Sequence, residues 1–131
     1  MIRKIIFHLI LSSIFTLLLT GCNTSNSKET REITIQNEDG EVLATTPDFE
    51  SAQLRNDENH ELYIIEATFK DENKLEELTT ANAGKVIQIY LGEELISSAT
   101  ISKPFSGQAF IIEGGYTDEL AVEFVNVINS Q

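Results

Sequence analysis

The apolar run of 15 residues from Ile5 to Leu19, closed by Thr20-Gly21-Cys22, decides how much of this chain is left to fold. Arg3 and Lys4 precede the run and small residues follow it, which is the order of zones in a secretory signal, so residues 1–21 are expected to be removed. Of 131 residues, 110 then remain, enough for one small domain with a modest core. Cys22 is the single cysteine, so no disulfide can reinforce that core. The run is short of the roughly 20 residues that span hydrocarbon. His8, Ser12, Ser13 and Thr16 dilute it further, and it does not read as a permanent transmembrane anchor.

Leu19-Thr20-Gly21-Cys22 resembles the lipobox read by lipoprotein signal peptidase: an aliphatic residue, two small ones, then the cysteine that is lipidated. Cleavage is expected between Gly21 and Cys22. An unmodified Cys22 would be a lone thiol in an oxidising compartment. A diacylglyceryl group on it supplies two acyl chains, and two are what stable anchoring takes. The expected address is the outer face of the cell membrane, with the lipid bilayer as a partner through Cys22. Residues 22–31, polar and without an apolar pattern, read as a flexible tether. Residues 32–131 read as the folded domain.

All 21 acidic residues lie beyond residue 21, where seven basic ones remain, giving that part a net charge of about −14. No basic patch exists to neutralise phosphates, which excludes nucleic acid as a partner. The same charge opposes close contact with an anionic lipid surface, so the domain is expected to stand off the membrane.

Within the domain, Ile33-Thr34-Ile35 and Val42-Leu43-Ala44 flank an Asp39-Gly40 turn and predict a hairpin. Thr46-Pro47-Asp48 looks like a helix or turn start, so any helix over Asp48 to Ala52 is one or two turns. Leu62 to Phe69 alternates as a strand with Tyr63, Ile65, Ala67 and Phe69 on one face. Asp71 is a plausible N-cap for a helix carrying Leu75, Leu78 and Ala81, which Gly84 stops. Strands follow at Val86 to Leu91, Leu95 to Ile101 and Ala109 to Glu113. Thr117 caps a last helix with Leu120, Ala121, Phe124, Val125 and Ile128 as its apolar stripe. The expectation is an α+β fold: a single small sheet, in the order β-hairpin then β-α-β-β-β-α, with helices packed on one face.

Several of these pieces recur together in one known order. Ala83-Gly84-Lys85, the strand to Leu91, Leu95-Ile96-Ser97-Ser98-Ala99, Pro104-Phe105-Ser106-Gly107 and Ile112-Glu113-Gly114-Gly115-Tyr116-Thr117 resemble the head subdomain of the first extracytoplasmic domain of SecD and SecDF, membrane subunits that assist protein export. Asp39-Gly40-Glu41-Val42-Leu43 and Asp48-Phe49-Glu50-Ser51-Ala52 match that family's lead-in. The likeness covers roughly Ile33 to Gln131. The chain departs from the family pattern at Gly92-Glu93, where Asp-Gly is usual, at Ala99 in place of a proline, and at Gln108 in place of a glycine. The likeness reaches neither the base subdomain nor the membrane helices that carry the family's proton coupling. What it implies is a fold, and a surface that meets polypeptide or a neighbouring membrane protein.

Residues fit for catalysis are scarce. His60 lies among Asp57 and Glu58, but one histidine with flexible carboxylates in a polar loop is a poor metal site, and no metal or other cofactor is expected. No serine or cysteine stands in a nucleophile context, and Glu76-Glu77 and Glu93-Glu94 are sequence neighbours whose side chains point apart. The chain does not read as an enzyme. Tyr90, Glu94 and Phe105 are the candidate partner contacts: Tyr90 on the sheet face opposite Ile89, and Phe105 in a loop where an aromatic is either tucked under the sheet or exposed as an anchor. A free strand edge can also accept an extended peptide.

The expected function is a membrane-anchored lipoprotein that binds an extracytoplasmic part of a translocation machine or the polypeptide passing through it. Two versions differ in sign: an export accessory, and a blocker such as a lipoprotein that excludes incoming conjugative elements. The alternative from another class is a carrier of a small ligand, against which the modest core counts.

Overall fold

The structure, a computed structural model, describes residues 30–56 and 63–131. The signal segment, Gly21, Cys22, the tether up to residue 29 and the His60 loop lie outside the described residues. In chain order the elements are β1 (Ile33–Asn37), β2 (Val42–Thr45), a 3-10 turn (Thr46–Asp48), β3 (Phe49–Asn56), β4 (Tyr63–Phe69), α1 (Lys74–Ala81), β5 (Val86–Leu91), β6 (Glu94–Thr100), β7 (Ala109–Ile112) and α2 (Asp118–Asn129).

The α+β class holds, but the strands divide into two sheets where one was expected. They are ordered β2-β1-β5-β6 and β3-β4-β7, and both are antiparallel. The short apolar run of β7 says that it is a strand without saying which neighbour completes its ladder. It pairs with β4, Ile65 opposite Ile112 and Thr68 opposite Ala109, rather than with β6, which precedes it in sequence. Both sheets turn their apolar faces to one core. Ile33, Ile35 and Leu91 come from the first, and Phe49, Ile65, Ala67 and Phe69 from the second. Phe49 and Phe110 both pack on the Phe69 ring, at centroid distances of 4.9 and 5.2 Å, the offset stacking that aromatic quadrupoles favour.

A second difference is β3, an eight-residue strand where the sequence reads as a turn or short helix. Its ladder with β4 slips between Phe49 and Ser51, and this bulge turns both Phe49 and Ala52 inward. Two buried residues three apart is the spacing of a helix face, so a bulged strand imitates one. In α1, Asn73 rather than Asp71 occupies the N-cap position, with the Asp71 carboxylate accepting from the Asn73 N–H at 2.9 Å. Ala81 is exposed, and Thr79 and Asn82 are buried in its stead.

The β5–β6 hairpin turns on Gly92 and Glu93. Gly92 has φ +60, and the stem of Arg31 lies so near that an added Cβ would stand 3.0 Å from its Cδ. The turn therefore needs glycine for its backbone and for the space. Thr117 caps α2 as expected, its hydroxyl accepting from Leu120 N–H, and Ala121, Phe124, Val127 and Ile128 are buried over β3 and β4.

Candidate functional site

Beta strands leave backbone donors and acceptors along any edge that has no partner, and two sheets give four such edges. At β3 the edge is covered at Ala52: the Asn129 side-chain amide accepts from Ala52 N–H at 3.0 Å and donates to Ala52 C=O at 2.8 Å. Gln131 adds a donor to Phe49 C=O. The edges of β6 and β7 are treated differently. These strands meet at a joint where Ser97 Oγ donates to Glu113 C=O and Gly114 lies against Ile96. A Cβ on Gly114 would stand 2.5 Å from the Ile96 carbonyl oxygen, so only glycine lets the strands touch there.

Beyond that joint a cleft of about 530 Å³ separates them. Ser97 to Ile101, without Ser98, and Ala109 to Ile112 form its two walls. Ile35, Ile87 and Ile89 line it from the first sheet, Phe69 from the second, and Leu75 and Leu78 of α1 complete the lining. A larger hollow of about 620 Å³ runs along α2 beside Arg31, but it is more open to solvent and has the lead-in to β1 and one helix for walls. The cleft is the more enclosed of the two, and it is lined mainly by apolar side chains.

Three contacts hold the cleft's surroundings. The buried Thr79 hydroxyl donates to Leu75 C=O at 2.7 Å and accepts from Phe105 N–H at 2.9 Å, so α1 fixes the loop between β6 and β7. At the start of β7 the Gln108 carbonyl accepts from Phe69 N–H, and its side chain donates to Phe69 C=O at 3.3 Å. At its end the Tyr116 hydroxyl donates to Ile112 C=O at 2.6 Å and accepts from Ile65 N–H at 3.3 Å. Burial pushes the Tyr116 hydroxyl pKa up, against the Ile65 N–H and with some help from Glu113.

Phe105, 46% exposed, and Ile111, 45% exposed, both line the cleft and present apolar surface to solvent. Of the three candidate contacts, Phe105 alone lies there. Tyr90 is half-buried and is paired across the strands with Thr34 and Leu95, on the face of the first sheet turned away from Ile89. Glu94 begins β6 and binds Arg31 at 3.2 Å. Arg31 also grips Glu123 of α2 through Nε at 2.9 Å and through Nη2, and these bonds hold its pKa above the usual range. The three positions do not converge on one surface. Sequence reasoning passed over Ile111 and Thr79. The signal for Ile111 was present, because Ala109-Phe110-Ile111-Ile112 is apolar on both faces of the strand, which is not the pattern of a strand with one side in water. Among the described residues, no group of three or more His, Cys, Asp or Glu is placed to hold a metal. Nor is any described helix long and apolar enough to cross a membrane.

Over residues 21–131 the chain matches the family described as SecDF, P1 head subdomain. Among solved structures, it is similar to SecDF in a super-membrane-facing form, at 30% identity and a TM-score of 0.61, over 70% of this chain and 12% of that one. It is equally similar to a structure titled as that of SecDF, a membrane component that enhances protein export, at 30% identity and a TM-score of 0.62, over 70% of this chain and 42% of that one. The chain thus spans less than half the length of either. Among curated proteins, none matches the chain.

Proposed function

This chain belongs to the SecDF P1 head subdomain family, and from that premise we propose that it is a non-catalytic, extracytoplasmic module of protein export that holds extended polypeptide in the cleft between β6 and β7. The observation that carries this reading is the cleft itself: an apolar space whose two walls are strand edges. Family membership supplies the setting, since a structure in this family is described as a membrane component that enhances protein export. A lipid on Cys22, supported by the Leu19-Thr20-Gly21-Cys22 sequence, keeps the domain at the outer face of the membrane, about ten residues from its anchor.

The volume also falls in the range of small-molecule sites. An apolar small ligand would leave the backbone groups along both walls without partners, and a polypeptide brings donors and acceptors of its own. This difference favours polypeptide over the ligand carrier. Whether the module assists passage or obstructs it is read from the sign of an export or conjugation phenotype on deletion.

The test is photo-crosslinking in living cells from position 105 or 111, with position 90 as the reference on the opposite face. Crosslinks to secreted proteins or to a membrane translocation component at 105 and 111, and few at 90, are the expected result. Crosslinks at 90 alone, or none at any position, overturn the cleft as the contact site. Cys22→Ser is expected to move the protein from the membrane to the soluble fraction, and retention in the membrane would overturn the lipid anchor.

A further inference from the structure

The ladders fix which backbone groups face the cleft. On the β7 side, Phe69 N–H donates to Gln108 C=O and residue 67 lies opposite 110, so Gln108, Phe110 and Ile112 turn their backbone groups to β4. Ala109 and Ile111, the alternate positions, turn theirs to the open edge. On the β6 side, Ile101 N–H donates to Lys85 C=O with residue 99 opposite 87, which turns Ser98 and Thr100 outward by the same parity. The two edges are not equal, however. All four residues of β7 line the cleft, whereas Ser98 of β6 does not.

We propose that the cleft takes its occupant by strand addition to β7: an uncharged, apolar polypeptide segment of about four residues whose backbone pairs with the N–H and C=O groups of Ala109 and Ile111. The inference deepens the reading of the cleft as a polypeptide site and rests on it. Length is set at one end by the joint of Ser97 with Glu113, where Gly114 closes on Ile96. At the other end it is set by the start of β7 at Ala109, just after Gly107, which takes φ +104 and turns the chain out of the strand direction. Character is set by the walls, because alternate side chains of the added strand face Ile35, Ile87 and Phe69. Acidic segments are disfavoured by Glu113 at the joint and by the strongly negative charge of the whole domain. The opposite edge of the same sheet gives the internal comparison. At β3 the outward groups of Ala52 are already satisfied by Asn129, a cover that β7 lacks at Ala109 and Ile111 among the described residues.

The experiment uses the full chain in detergent and three capped hexapeptides of alternating valine and threonine: the parent, one N-methylated at the valines, and one N-methylated at the threonines. In a strand the N–H groups of alternate residues point the same way, so one twin keeps the donors that face β7 and the other loses them. The expected result is that one twin binds about tenfold or more weakly than the other, the loss of one to two hydrogen bonds. With it, hydrogen exchange at the Ala109 and Ile111 amides slows on adding the parent, and exchange at Phe110 does not change. If the parent binds and protects the cleft, but the twins bind equally and the two amides exchange as before, strand addition is overturned and the polypeptide reading survives. If none of the three peptides binds at millimolar concentration, both fall.

Discussion

β3 and β7 are the two outer strands of one sheet, both laddered to β4, and they differ in what covers the far side. Over β3 lies α2, whose Asn129 presents a side-chain amide to Ala52 as another strand's peptide group would. Along β7 lies the apolar cleft. The comparison teaches that an open edge here is not a general looseness of the fold. A bare edge invites unwanted pairing, and this chain covers one at Ala52 and Phe49 with the side chains of Asn129 and Gln131, while the other borders the apolar cleft.

The strongest way to break the comparison is to strip the cover from β3. Phe124, fully buried beneath α2, anchors that helix. Phe124→Ala is expected to lower stability by about 3–5 kcal/mol in urea denaturation. A loss near zero would mean that α2 does not hold the edge closed.

Prying at the joint is next in size. Gly114→Ala places a methyl group against the Ile96 carbonyl oxygen, which backbone must move to relieve. The expected cost is about 1–3 kcal/mol with altered peptide affinity, because the closed end of the cleft is forced apart. A variant with native stability and unchanged peptide affinity would show that the contact does not set the cleft's length.

Asn129→Ala removes the copied peptide group alone. The expected loss is about 1–2 kcal/mol, accompanied by concentration-dependent self-association in sedimentation, since Ala52 then offers a free edge. A variant that stays monomeric at high concentration would separate covering an edge from preventing its pairing.

The smallest effect comes from the fastening of β7. The Tyr116 pKa is raised in the folded state, so its contribution is complete below the unfolded value near 10. It is then lost as the pH climbs through the folded value. Tyr116→Phe is expected to cost about 1 kcal/mol at neutral pH through the Ile112 and Ile65 bonds, and to flatten part of the fall in stability above pH 10. A variant whose pH profile overlays that of the native protein would assign that fall to other groups.

Much of this architecture was readable beforehand, and what escaped did so for definite reasons. Ile65, Ala67 and Phe69 alternate cleanly, as do Ile87, Ile89 and Leu91, because each strand has one buried face. Thr117 and the stripe through Phe124 and Ile128 mark α2 by local chemistry alone. β3 was hidden because its bulge sets Phe49 and Ala52 at helical spacing. The split into two sheets was hidden because periodicity names a strand and not its partner. At the cleft, Phe105 stood out as an aromatic between Pro104 and Ser106-Gly107. Asn129 left no mark at all: its role depends on meeting Ala52, 77 positions earlier in the chain, which no local pattern records.

The Arg31 pairings carry a mechanical consequence. β1 is an inner strand with β2 and β5 on its two sides, and Arg31 precedes it, gripping Glu123 and Glu94. A pull on the chain ahead of Thr30, drawn along β1, meets those ionic bonds first and then both ladders in shear, where many bonds must fail together. β5 runs from Val86, opposite Thr100, to Leu91, opposite Glu94, which puts Arg31 at one end of the sheet and the Phe105 loop at the other. β7 lies in the other sheet, outside that line of force. The domain can thus be held taut by its leading end without the load passing through β7.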